Sequence, residues 1–140
     1  MSLPTPFEYP VKAHERKHGP RGYEPYRKFK NWVRDEFEFR CVYCLEREAW
    51  YPDRQASFSI DHVEGQTAYP HLVCDYDNFV YACRRCNSAK RDVATLDPTK
   101  VAMGEHLQID TDGQIRALSP EGKVLILRRV EVWRGGLGSA

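Results

Sequence analysis

The sequence predicts one small α+β domain held by a metal site, and three observations carry that expectation. The 140 residues are 41% hydrophobic and 12% aromatic, which suits one modest core rather than two. Four of the five cysteines form two Cys-x-x-Cys pairs, Cys41/Cys44 and Cys83/Cys86, leaving Cys74 over, a pattern that favours metal over disulfides. One stretch repeats its apolar residues at helical spacing, while several short apolar runs are bounded by turn residues as strands are.

Residues 1–22 are rich in Pro, Gly and charge and lack apolar periodicity, so they read as a flexible basic arm that adds little to the core. His14 and His18 lie four apart within it, but their wholly polar context reads as solvated. The central unit, 23–98, opens with an amphipathic helix: Pro25 suits a first helical position, and Tyr26, Phe29, Trp32, Val33 and Phe37 form its apolar stripe. Ser57 to Ile60 reads as a strand ending at Asp61-His62, and Phe79 to Ala82 as its partner after the turn residues Asp77-Asn78. Arg84 to Val93 reads as a helix, with Pro98 beyond its end. The remaining part, 99–140, reads as a β meander packed on the core. Its strands are Leu107 to Ile109, Gln114 to Leu118 and Val124 to Val130, separated by Thr111-Asp112-Gly113 and Ser119-Pro120-Glu121-Gly122. Trp50, Tyr51 and Tyr69 are expected in the core; His71, Cys74 and His106 are expected to be structural.

The net charge of +1 announces no nucleic-acid binder, yet its distribution is uneven. Basic residues outnumber acidic ones from Val11 to Arg40, acids dominate from Leu45 to Asn78, and Arg84, Arg85, Lys90 and Arg91 restore positive charge. An acidic centre between basic arms suits a cation site beside bound phosphates. The N-terminal residues form no apolar run behind positive charge, and no stretch is long enough to cross a bilayer, so a soluble cytoplasmic protein is expected.

Four soft thiolates on two tight turns suit tetrahedral Zn2+ with a closed coordination shell, which is a structural centre rather than a catalytic one. The long segment between the pairs is therefore where function is sought. It holds Asp61 and His62, adjacent on a strand and so facing opposite sides, while Asn87 follows the last cysteine. A carboxylate and an amide carbonyl are hard oxygen ligands of the kind that hold Mg2+ or Mn2+.

Cys-x-x-Cys, Asp61-His62, Asn78 and then Cys83-x-x-Cys86-Asn87-x-x-Lys90 together resemble the HNH nuclease family, whose core is a ββα-metal fold. The likeness is greatest to members with a four-cysteine zinc site, including the junction-resolving phage nucleases. The resemblance runs from Phe39 to Asp92 and makes this chain an H-N-N variant, with His62, Asn78 and Asn87 as the three motif residues. It implies that Asp61 and Asn87 hold the catalytic metal, that His62 is the general base, and that Asn78 fixes the loop and orients His62. Many family members have His where Asn87 stands, and Pro shortly after the first His, where this chain has Glu64-Gly65.

The expected function is thus a metal-dependent endonuclease hydrolysing phosphodiester bonds, with DNA as partner, a structural Zn2+, and a catalytic Mg2+ or Mn2+. Arg84, Arg85, Lys90 and Arg91 lie on or beside the helix that carries Asn87 and are candidates to face phosphates. Cutting both strands with one such site would favour a homodimer or two successive nicks. The competing reading is a non-catalytic zinc-dependent nucleic-acid-binding module.

Overall fold

The apolar stripe after Pro25 folds as a 3-10 turn over Tyr26–Phe29 that runs into helix α1, Lys30–Glu36. Phe29, Val33 and Phe37 are buried along one face, whereas Trp32 points to solvent, so the stripe is narrower than its sequence spacing implies. The computed structural model describes residues 7–90 and 96–127, with the backbone alone for 89 and 90.

Strands β1, Phe58–His62, and β2, Phe79–Cys83, pair antiparallel in a register that sets Phe58 opposite Cys83 and His62 opposite Phe79. Helix α2, Arg84–Lys90, follows β2 directly and packs on both strands, and α1 also packs on both. Every residue of β2 is buried. A strand covered on both faces reads as the continuous apolar run Phe79-Val-Tyr-Ala-Cys rather than as an alternation. Ring packing fills the space: Phe29 meets Phe79 edge-on at 5.4 Å, and Phe58 stacks on Tyr81 at 5.2 Å. Burial of each such side chain contributes roughly 1.5–3 kcal/mol.

The first Cys-x-x-Cys forms a tight turn closed by Cys41 N–H to the Glu46 carbonyl (2.9 Å) and Leu45 N–H to the Cys41 carbonyl (3.0 Å). Leu45 takes a φ of +64°, which costs a non-glycine residue roughly 1–2 kcal/mol; its buried side chain offsets that cost. Val42 N–H donates to the Tyr81 carbonyl (3.0 Å), which docks the turn on β2.

The N-terminal segment adds more to the core than its composition predicts. Tyr9 is buried and its hydroxyl donates to the Tyr43 carbonyl. His14 and His18, expected to be solvated, are partnered instead. The His14 ring lies 2.6 Å from the fully buried Glu36 carboxylate, which also accepts from the Lys17 and His18 backbone N–H groups and the Tyr76 hydroxyl. The His18 ring meets Asp35 at 2.6 Å. Arg16 lies over the rings of both Phe37 and Tyr76 and donates to the Asp77 carbonyl. Residues 7–22 thus include a strap that supplies the donors a buried carboxylate needs.

Strands β3, Leu107–Ile109, and β4, Ile115–Ala117, form the expected hairpin, with Gly113 at φ +85° in the turn. The expected third strand, Val124 to Val130, is a correction: residues 120–127 are helical (α3), and 128–130 lie outside the described residues. Ser119-Pro120-Glu121-Gly122 is a helix start rather than a turn. Ser119 Oγ accepts from Gly122 N–H (3.0 Å), Pro120 fills the first helical position, and Glu121 sits in the first turn. A Cβ at Gly122 would lie 2.2 Å from the His106 carbonyl oxygen, so only glycine lets α3 pack this closely on β3. Trp50 and Tyr69, expected in the core, are exposed, their rings set against Phe7 and His71 at the surface; Tyr51 is half-buried against Phe58.

Candidate functional site

The register of the β1–β2 hairpin brings the two cysteine pairs together at one end. Cys83 closes β2 and Cys86 lies in the first turn of α2, while the docked turn brings Cys41 and Cys44 alongside. All four are buried, and their sulfurs lie within 4.8 Å of one another. Cys44 Sγ and Cys83 Sγ are 3.8 Å apart. That equals the edge of a tetrahedron with metal–sulfur bonds of about 2.3 Å, the zinc–thiolate length. Backbone N–H groups of Tyr43 and Cys86 point at the sulfurs of Cys41 (3.4 Å) and Cys83 (3.5 Å), as they would toward thiolates.

Acid–base behaviour supports the same reading. Burial pushes the Cys41 thiol well above its ordinary range, and hydrogen bonds from Cys41, Cys44 and Cys86 hold Cys83 far below it. Four sulfurs sharing one buried site cannot all ionise alone, and a divalent cation resolves that conflict. The cluster is therefore positioned to hold a metal ion.

The other end of β1 carries Asp61 and His62, both almost fully buried and with different surroundings. Asp61 Oδ2 accepts from the Tyr43 hydroxyl at 2.5 Å. The His62 ring is set edge-on to Tyr26 (4.6 Å) and Phe79 (5.2 Å). Its Nε2 lies 3.0 Å from the Val73 carbonyl, which can only accept, so Nε2 carries the proton and Nδ1 keeps the lone pair. The Gln66 amide approaches that lone pair at 3.4 Å.

Asn78, in the 3-10 turn Tyr76–Asn78, clasps the segment that follows His62. Its Oδ1 accepts from Glu64 N–H (2.8 Å), its Nδ2 donates to the Glu64 (3.1 Å) and Leu72 (3.3 Å) carbonyls, and its own carbonyl accepts from Val63 N–H (2.9 Å). It meets the backbone on either side of the 64–72 loop. Asn87, on α2, donates through Nδ2 to Ser59 Oγ (2.6 Å) and to the Ile60 carbonyl (3.3 Å), the peptide that leads into Asp61. The Asn87 amide is thus tied to the two residues of β1 that precede Asp61.

Of the candidate phosphate contacts, Arg84 is exposed with its guanidinium on the Ala56 carbonyl (2.7 Å), and Arg85 is exposed. Arg91 and the Lys90 side chain lie outside the described residues. Tyr43 and Gln66 were not among the sequence candidates. Tyr43 had a signal, because a phenol inside a cysteine turn is forced into the core and must find a hydrogen-bond partner there. Gln66 had none.

Residues 41–92 match the family model described as HNH endonuclease, a segment that begins at the first metal-site cysteine and takes in the hairpin and α2. No curated protein and no solved structure matches the chain. No helix among the described residues is long and apolar enough to cross a membrane.

Proposed function

We propose, from an HNH endonuclease match that spans both cysteine pairs and the strands between them, that this protein is a metal-dependent endonuclease hydrolysing phosphodiester bonds in DNA. One observation supports it most: Asn87 Nδ2 donates to the Ile60 carbonyl, the peptide preceding Asp61, which ties the two proposed oxygen ligands to the same stretch of β1. Cys41, Cys44, Cys83 and Cys86 hold a structural Zn2+, and Asp61 and Asn87 hold Mg2+ or Mn2+. That second ion, when bound, offsets charge on the phosphate and on the leaving oxygen. His62 takes the proton from the attacking water at Nδ1, the atom its hydrogen bond to Val73 leaves basic. Asn78 keeps the loop after His62 closed, and Arg84, Arg85, Lys90 and Arg91 bind the phosphate backbone without reading sequence.

The test is nicking of supercoiled plasmid against Mg2+ or Mn2+ concentration. His62→Ala should slow cleavage roughly 10²–10⁴-fold while leaving metal and DNA affinity nearly unchanged, because it removes the base but no ligand. Unchanged nicking in that variant would sink the mechanism. A second reading, a zinc-dependent nucleic-acid-binding module without catalysis, draws support from the burial of His62, only 5% exposed beneath Tyr26. It requires a wild type that binds DNA yet is inert with every divalent metal.

A further inference from the structure

We propose that Tyr43 is a positioning residue whose hydroxyl sets the divalent-metal affinity of Asp61. The inference rests on the reading of Asp61 as a ligand of the catalytic ion. Tyr43 and Asp61 are 1% and 2% exposed, and the 2.5 Å between hydroxyl and Oδ2 falls in the range of a charge-assisted O–H···O⁻ bond. The bond fixes the plane of the carboxylate, and so the direction of its lone pairs, before any cation arrives. Tyr43 is itself fixed at both backbone ends: its N–H points at Cys41 Sγ and its carbonyl accepts from the Tyr9 hydroxyl. The side chain therefore spans from the four-cysteine cluster to the acid on β1, and the orientation of Asp61 is inherited from the cysteine turn. Groups that hydrogen-bond a ligating side chain typically govern metal affinity or activity by about 10- to 100-fold.

The experiment titrates Mn2+ into the zinc-loaded protein by calorimetry and follows plasmid nicking across the same concentrations, for wild type, Tyr43→Phe and Asp61→Ala. Tyr43→Phe should keep its zinc and raise the half-saturating Mn2+ concentration about 10- to 100-fold, with nicking largely recovered at saturation. A purely structural role would change the amount of folded protein and leave that concentration alone. Fully zinc-loaded Tyr43→Phe with wild-type Mn2+ dependence overturns the proposal, provided Asp61→Ala has lost its affinity. If Asp61→Ala also binds Mn2+ like wild type, the ligand assignment under it fails instead. Should Tyr43→Phe lose zinc, 3-fluorotyrosine at position 43 keeps the ring and hydroxyl while making the phenol a stronger donor. A shifted Mn2+ affinity then supports the proposal, and an unshifted one overturns it.

Discussion

The two hairpins of this protein are both antiparallel, yet they are built to different ends. In β1–β2, nine of the ten positions are buried and Ser59 alone is half-exposed. In β3–β4 only Leu107 is buried, while Gln108 and Arg116 face water. The first hairpin is covered by α1, α2 and the cysteine turn; the second rests one face on the core. A polar side chain in a strand without a solvent face must be given a partner, since leaving it unpaired costs about 1–3 kcal/mol. Asp61 and His62 accordingly have fixed neighbours, which suits the first hairpin to the role proposed for it.

The sharpest way to break the contrast is Cys83→Ser, at the end of β2. Structural zinc contributes apparent binding energy of order 10 kcal/mol, comparable with the stability of a whole domain, so this variant should lose both metal and its cooperative thermal transition. A folded, metal-free product would show that the hairpin stands without the cluster. Leu107→Ala, on β3, should lower stability by about 2–5 kcal/mol in denaturant melts while zinc content and nicking per folded molecule stay at wild-type levels. Nicking lost from the folded fraction would mean that the second hairpin does reach the site.

A smaller effect is expected at Glu36, on the helix that covers β2. Burial pushes its carboxyl up, but the Lys17 N–H, the His14 ring, the His18 N–H and the Tyr76 hydroxyl together outweigh burial and hold it below the ordinary value of 4.5. A depressed carboxylate stabilises the fold above its unfolded pKa and ceases to do so as pH falls through the folded one. Glu36→Gln should therefore cost about 1–3 kcal/mol at pH 7. The gap from wild type should shrink as pH falls below ~5. Any loss of metal from the cysteine cluster in acid would affect both proteins alike and cancel from that difference. A gap independent of pH would show that Glu36 is not ionised in the fold.

What the sequence disclosed and what it hid divide along the same line. The cysteine pairs, both strands of the first hairpin and the start of α2 were legible, because ligand spacing and a continuous apolar run are local signals. Tyr43 meeting Asp61, and Glu36 meeting the strap, were not, since such pairs join residues far apart in sequence and a buried glutamate looks like any charge between apolar positions. Ser119-Pro120 misled because the same residues start a turn or cap a helix, and only the close approach of Gly122 to His106 decides between them. Trp32 and Trp50 were overvalued: a large ring is counted as core before it is known whether anything stands over it.

The core also bears on how portable the matched segment can be. Tyr9, Phe29, Val33, Phe37, Met103, Leu107 and Leu125 all belong to the same buried cluster as Phe79 and Tyr81, and all lie outside 41–92. Transplanting 41–92 alone into another scaffold would carry the ligands and bare the apolar faces that Phe29 and Leu107 now cover. A recombination event that preserved this chemistry would have to move the strap and α1 along with it, or supply a host surface of matching shape. The unit that selection can shuffle is therefore larger than the unit that sequence comparison detects.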